Sequence, residues 1–178
     1  SAEKQSSTQS RSNPEEAKLC RKVYDALQAR DVAVVTFYRD QLKELRRVFG
    51  DVSKKLVEID TVDAFQGREK DYIILSCVRS NEHQGIGFLS DPRRLNVALT
   101  RARYGLILLG NARVLAQDPL WHALLTHMQS KNCLAEGTLA NLKPSLVQLP
   151  RPRRGGRATE NRLRRTALAV SYTHLTLP

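Results

Sequence analysis

Apolar positions recur along this chain in two periods. Leu19, Val23, Ala26 and Leu27 are spaced by three and four residues, which on a helix of about 3.6 residues per turn makes one buried face. Asn13-Pro14-Glu15-Glu16 stands just before them: a capping side chain, a proline at the first helical position, and acids at the positive end of the helix dipole. A helix is therefore predicted from residue 14 to about residue 30. Val32–Thr36 is a continuous β-prone run, suited to a strand covered on both faces. Arg39–Phe49 turns Leu42, Leu45, Val48 and Phe49 to one side and stops at Gly50. Residues 56–60 and 72–78 read as strands, joined by a short turn or helix over residues 63–70. A polar loop covers residues 79–90. Asp91-Pro92 then open a helix to about residue 103, residues 104–109 form another buried-type strand closed by Gly110-Asn111, and residues 119–129 form a last amphipathic helix. Strands alternating with helices predict an α/β domain with a parallel sheet covered on both sides.

The ends of the chain break this pattern. Residues 1–12 are rich in Ser, Gln and charge without a period, which predicts a disordered leader. The domain is expected over residues 13–149, and residues 150–178 are expected to be a basic, disordered tail. Residues 167–178 are apolar but unlike the rest; they read as a read-through tail and are left out of the predicted fold. At 178 residues the chain allows one domain of ordinary size.

Lys plus Arg is 29 against 18 Asp plus Glu, a net charge of +11, which points to polyanionic partners. Lys143 to Arg165 carries eight basic residues against Glu160 alone, so the globular part is only mildly basic. Cys20, Cys77 and Cys133 lack the close pairing of a zinc site or a disulfide scaffold. No stretch approaches the roughly 20 apolar residues of a membrane span, and no signal-peptide block opens the chain. A cytosolic or nuclear setting, without a membrane partner, is the default expectation.

Two constellations could carry chemistry. In the first, residues 58–72, a strand ends in Thr61, Asp63, Gln66, Gly67 and Glu69. Such polar groups at the carboxyl edge of an open sheet suit a ligand, with Gly67 allowing close backbone approach and a helix N-terminus able to hold phosphate. A capped turn with surface Gln and Glu fits the same spacing. In the second, residues 91–103, Leu95, Ala98, Leu99 and Ala102 form an apolar arc. Arg94 and Arg101 lie seven residues apart at its margin, at nearly the same angle. Guanidinium stays charged and is costly to bury unpaired. Its anion is either an internal carboxylate, Asp63 or Glu69, or a phosphate.

Phosphoryl transfer needs a phosphate cradle, a metal ligand and a water-positioning group. No Gly-x-x-x-x-Gly-Lys run and no adjacent Asp-Glu pair occur. The chain is therefore not expected to hydrolyse nucleotide by itself. His83, His122 and His127 lack ligand spacing supported by carboxylates, so no metal site is expected. Ser76-Cys77 lacks a nucleophile-elbow pattern. Trp121 and His122 read as packing or surface residues, and the run from Arg151 to Arg165 as either a nonspecific RNA contact or a solvated tail.

Thr61-Val-Asp-Ala-Phe-Gln-Gly-Arg-Glu-Lys-Asp71 and Arg94-Leu-Asn-Val-Ala-Leu-Thr-Arg-Ala-Arg103 resemble motifs V and VI of superfamily-one helicases, specifically the Upf-type and senataxin-like RNA helicases. Asn81 to Leu89, Gly110-Asn111 with Pro119-Leu-Trp121, Val34 to Gln41 (motif IV) and Asn13 with Glu16-Ala17 resemble the same group, over roughly residues 12–149. The resemblance implies the second of two RecA-like domains of an ATP-driven motor. It lacks its own phosphate loop: ATP would lie between the domains, and the first domain would hold the phosphates and Mg2+. By this resemblance Arg101 matches the arginine finger at the γ-phosphate. Gln66, Gly67 and Glu69 match the ATP-facing part of motif V, and Thr61 the contact to single-stranded RNA, with DNA as the alternative. Tyr38 and Gln41 match motif IV. Where the family often has an arginine after the residue matching Asn13, this chain has Pro14, so the second γ-phosphate contact of the family has no match here unless Arg11 substitutes. The resemblance implies 5′ to 3′ movement along one strand; a non-enzymatic nucleic-acid-binding module is the competing function.

Overall fold

The computed structural model describes residues 4–5, 11–52, 56–78, 86–152 and 167–171. Helix α1 (Pro14–Leu27) starts as predicted, with the Asn13 side chain accepting the Glu16 amide, and stops when Gln28 turns left-handed. Strand β1 (Val32–Thr36) is buried throughout. Helix α2 (Arg39–Phe49) ends at Gly50, whose positive φ lets its N–H return to the Arg46 carbonyl. Strands β2 (Glu58–Thr61) and β3 (Lys70–Ser76) follow, then α3 (Pro92–Thr100), β4 (Ala102–Gly110), the short helix α4 (Ala112–Leu115) and α5 (Pro119–Ser130).

β2, β1, β3 and β4 lie side by side in that order, all parallel. On one face α1 and α2 pack Leu19, Val23, Leu45 and Phe49 onto Val32, Val34, Ile59 and Ile74. On the other, α3, α4 and α5 pack Leu95, Ala98, Val114 and Trp121 onto Ala33, Val35, Ile73 and Leu106. Two buried clusters separated by a sheet make the predicted three layers. Trp121 is fully buried and its indole N–H donates to the Leu89 carbonyl at 2.8 Å, so it serves packing.

The structure departs from the sequence reading at several places. β4 begins at Ala102 rather than at residue 104, and β3 at Lys70 rather than 72. The Lys70 amide donates to the Arg101 carbonyl at 3.1 Å, which extends the ladder earlier than side-chain pattern suggests. α4 was not expected; Asn111, read as part of a strand stop, caps it by accepting from the Arg113 and Val114 amides. Strands β5 (Leu134–Thr138) and β6 (Asn141–Pro144) form an antiparallel hairpin that was not predicted.

Strand β7 (Ala167–Ser171), from the segment left out of the predicted fold, runs parallel between β4 and β5. Its physical basis is an open ladder: without it the long strand β4 would present an unpaired edge. Within the expected leader, Lys4–Gln5 pairs antiparallel with Arg11–Ser12. The Arg-rich run from residue 153 to 166, His83 and the segment 79–85 lie outside the described residues.

Candidate functional site

Thr61, Thr36 and Ser76 are in register on β2, β1 and β3, marking the carboxyl ends of three neighbouring strands. The chain then returns from β2 to β3 through a compact turn. The Thr61 carbonyl accepts the Phe65 amide at 2.9 Å, the Asp63 carbonyl the Gln66 amide at 3.4 Å, and the Phe65 carbonyl the Arg68 amide at 3.2 Å. The Thr61 hydroxyl accepts the Ala64 amide at 3.3 Å. Phe65 is fully buried and pins the turn to the core. Gly67 takes φ +82°, yet a Cβ there would meet nothing within 4 Å. Glycine is required by the backbone angle and leaves open space above it.

This turn divides the predicted constellation. Thr61 and Asp63 stay at the carboxyl edge, as expected. Gln66, Gly67 and Glu69 are exposed on the return leg, which reaches the amino end of β3 beside Arg101, because Lys70 is paired with Ala102. A parallel crossover must bring its chain back across the sheet, so one short sequence motif serves both edges.

The two arginines also part company. Arg94 takes an internal partner, Asp63 at 3.0 Å, with Asp91 at 4.0 Å. Arg101 closes α3 as its C-cap residue. Among the described residues its guanidinium donates to the Thr100 hydroxyl alone, at 3.1 Å. Its Nε is buried without a partner, and no carboxylate pairs with it among the described residues. A permanently charged fork so placed is suited to an anion that the described residues do not supply.

Arg68, which the sequence reading passed over, organises the turn. Its guanidinium meets Glu58, reaches Asp60 at 2.7 Å and the Ala64 carbonyl at 2.5 Å, and lies 4.8 Å from the centroid of the Phe65 ring. Next to it, Asp31 and Lys70 pair at 2.9 Å, and Arg103 joins Asp31 and Asp71 at 2.7 and 2.9 Å. The hydrogen bond from Lys70 holds the Asp31 carboxyl below its ordinary value against the opposing cost of burial, helped by the Asp71 amide and the charges of Lys70 and Arg103.

The residues matching motif IV face inward. The Gln41 amide group donates to the Asn13 carbonyl at 3.3 Å and the Ser76 hydroxyl at 3.0 Å, while its oxygen accepts the Asn13 amide at 2.7 Å. The Glu16 carboxylate accepts from the Ser76 hydroxyl and, at 2.8 Å, from the Val78 amide. Val78 is held there at φ +69°, a conformation unusual for a β-branched residue. Tyr38 donates its hydroxyl to the Ile86 carbonyl at 3.2 Å. Asn13, Glu16, Gln41 and Ser76 are all buried, so this network ties α1 and α2 to the end of β3. Pro14 is the first residue of α1, and Arg11 lies in the two-residue ladder opposite Gln5. The signal missed was polar residues at sequence positions that should be apolar; a lone Ser or Glu gives no sign of its buried partner.

Residues 1–113 match a family model described as an AAA domain. The chain is 51% identical over 154 residues to a regulator of nonsense transcripts 1 homolog from Neurospora crassa, covering 83% of this chain and 14% of that protein. It is 69% identical over 100 residues to the Arabidopsis thaliana homolog, covering 56% of this chain and 8% of that one. To the Saccharomyces cerevisiae ATP-dependent helicase NAM7 it is 55% identical over 134 residues, covering 72% and 14%. The chain belongs to this Upf-type helicase family. Its three-layer sheet is the RecA-like arrangement of such a domain, and it spans about a seventh or less of the length of these relatives. In this helicase domain, the segment that resembles motif V is the turn between β2 and β3, and the segment that resembles motif VI is α3 with Arg101.

Proposed function

We propose that this chain is the second motor domain of an ATP-dependent helicase that moves 5′ to 3′ along single-stranded RNA. Its charge placement favours that reading: of two arginines one heptad apart, Arg94 is neutralised by Asp63 and Asp91, and Arg101 has no carboxylate partner among the described residues. Arg101 reaches the γ-phosphate of an ATP held mainly by a first motor domain. Gln66, Gly67 and Glu69 face the same nucleotide from the turn, with Gly67 giving its backbone open approach. Thr61, at the opposite edge of the sheet, grips the nucleic-acid backbone without reading bases.

Among the described residues no group of three or more His, Cys, Asp and Glu could hold a metal ion; the Mg2+ that accompanies ATP is assigned to the first domain, where it would supply neutralising charge to the phosphates. The contribution of this chain is electrostatic. Arg101 stabilises charge that builds on the γ-phosphate, and loss of that phosphate removes the attraction that holds the two domains closed. Opening and closing then moves the grip along the strand.

The test joins this chain to the first motor domain of the yeast relative and measures RNA-stimulated ATP turnover. Arg101→Ala is expected to lower kcat by roughly 10³-fold or more, the scale of arginine fingers generally. Equal rates refute the assignment.

A further inference from the structure

The geometry points to Arg68 as a positioning residue for nucleotide binding: it holds the turn that carries Gln66, Gly67 and Glu69 in its binding shape. This inference rests on the proposed function and adds a residue to it. Four contacts converge on one guanidinium. It spans Glu58 and Asp60, alternate residues on one side of β2, takes the Ala64 carbonyl inside the turn, and lies over the Phe65 ring that anchors the turn to the core.

Its neighbours on either side, Gly67 and Glu69, are exposed. With the Arg68 guanidinium held against Glu58, Asp60 and the Phe65 ring, the flanking residues stay open to solvent. The backbone angle at Gly67 gives no stability of its own, since glycine takes φ +82° as readily as other values. Something else must select it, and the Arg68 tether closes the turn from the C-terminal side while Phe65 closes it from the N-terminal side. An isolated surface ion pair would do little. A planar fork that meets two carboxylates and a carbonyl at once specifies a geometry, which lysine does not reproduce. Arg68 touches neither nucleotide nor nucleic acid in this role; it acts through Gly67 and Glu69.

The test uses the chain joined to its first motor domain, with ATP turnover for KM and kcat and a fluorescent ADP analogue for direct binding. Arg68→Ala is expected to raise the KM for ATP and weaken analogue binding by about tenfold or more, the scale of one charge-assisted hydrogen bond network, with kcat at saturation within about threefold. Glu58→Gln with Asp60→Asn frees the same arginine from the other side and should give the same rise. Combining all three changes should add nothing further, because they break one unit. Arg68→Lys keeps the charge and the fold but cannot span the three oxygens, and its KM should also rise.

A normal KM in Arg68→Ala or Arg68→Lys overturns the inference, as does a full additive loss in the combined variant. If Arg68→Ala does not fold, the Lys variant and the carboxylate pair decide. Arg101→Ala run in parallel separates this from the functional reading. If it abolishes turnover, the KM values above judge Arg68 alone. If it leaves turnover intact, the motor reading fails and this inference falls with it.

Discussion

Gln41 matches a helicase motif, yet it is fully buried between α1 and the end of β3, which makes a sharp prediction. Gln41→Ala removes the acceptor of the Asn13 amide at 2.7 Å and the donor to the Asn13 carbonyl and Ser76 hydroxyl. A buried N–H left without an acceptor costs about 1–3 kcal/mol, and each lost donor contact about 1 kcal/mol. Loss of the one buried methylene group, Cγ, adds about 0.8 kcal/mol. At the low end of these ranges the sum is about 4 kcal/mol, a large part of the stability of an ordinary domain. With a urea m-value of about 2 kcal/mol/M for a domain of this size, the midpoint should fall by about 2 M with m unchanged. The assay is urea unfolding of the chain followed by far-UV circular dichroism. A midpoint shift below about 0.5 M would refute the network as a structural tie. Wild-type stability together with lost nucleotide binding would go further and return Gln41 to the ligand site.

Other outcomes follow from single contacts. Trp121→Phe leaves the Leu89 carbonyl without its donor and opens a small cavity; it should cost about 2 kcal/mol and lower Tm by roughly 4–8 °C in a thermal melt. Gly67→Ala forces a side chain into φ +82° without any clash, so it should cost about 1–2 kcal/mol and raise the KM for ATP in the joined protein. Because Lys70 lowers the Asp31 carboxyl, the native state favours the ionised form. That contribution is present above the ordinary carboxylate range and is lost as pH falls through the lowered native value. Asp31→Asn should therefore flatten the acid limb of the stability curve and cost less than about 1 kcal/mol at neutral pH, since the group is partly exposed and screened by solvent. Urea midpoints of the two proteins across the acid range check it.

The amino-acid sequence by itself determined the layered α/β plan, because hydrophobic period, capping residues and glycine stops are local signals that each helix and strand carries alone. Asn13 with Pro14, Asp91 with Pro92, and Gly50 all stand at the helix ends that the sequence marks. It also picked out Arg94 and Arg101 as unusual, since a charge at the margin of an apolar arc is visible on a helical wheel. Only the tertiary structure decided which of them is neutralised: Asp63 sits on another element, and its distance from Arg94 depends on how the turn folds over α3. The same holds for Arg68, whose partners lie eight and ten residues back on β2, and for Gln41, whose partners come from α1 and β3. The hairpin β5–β6 and strand β7 escaped the reading for a related reason. Pairing along a strand edge is a property of the neighbour that is missing a partner, and a period within one segment cannot carry that information.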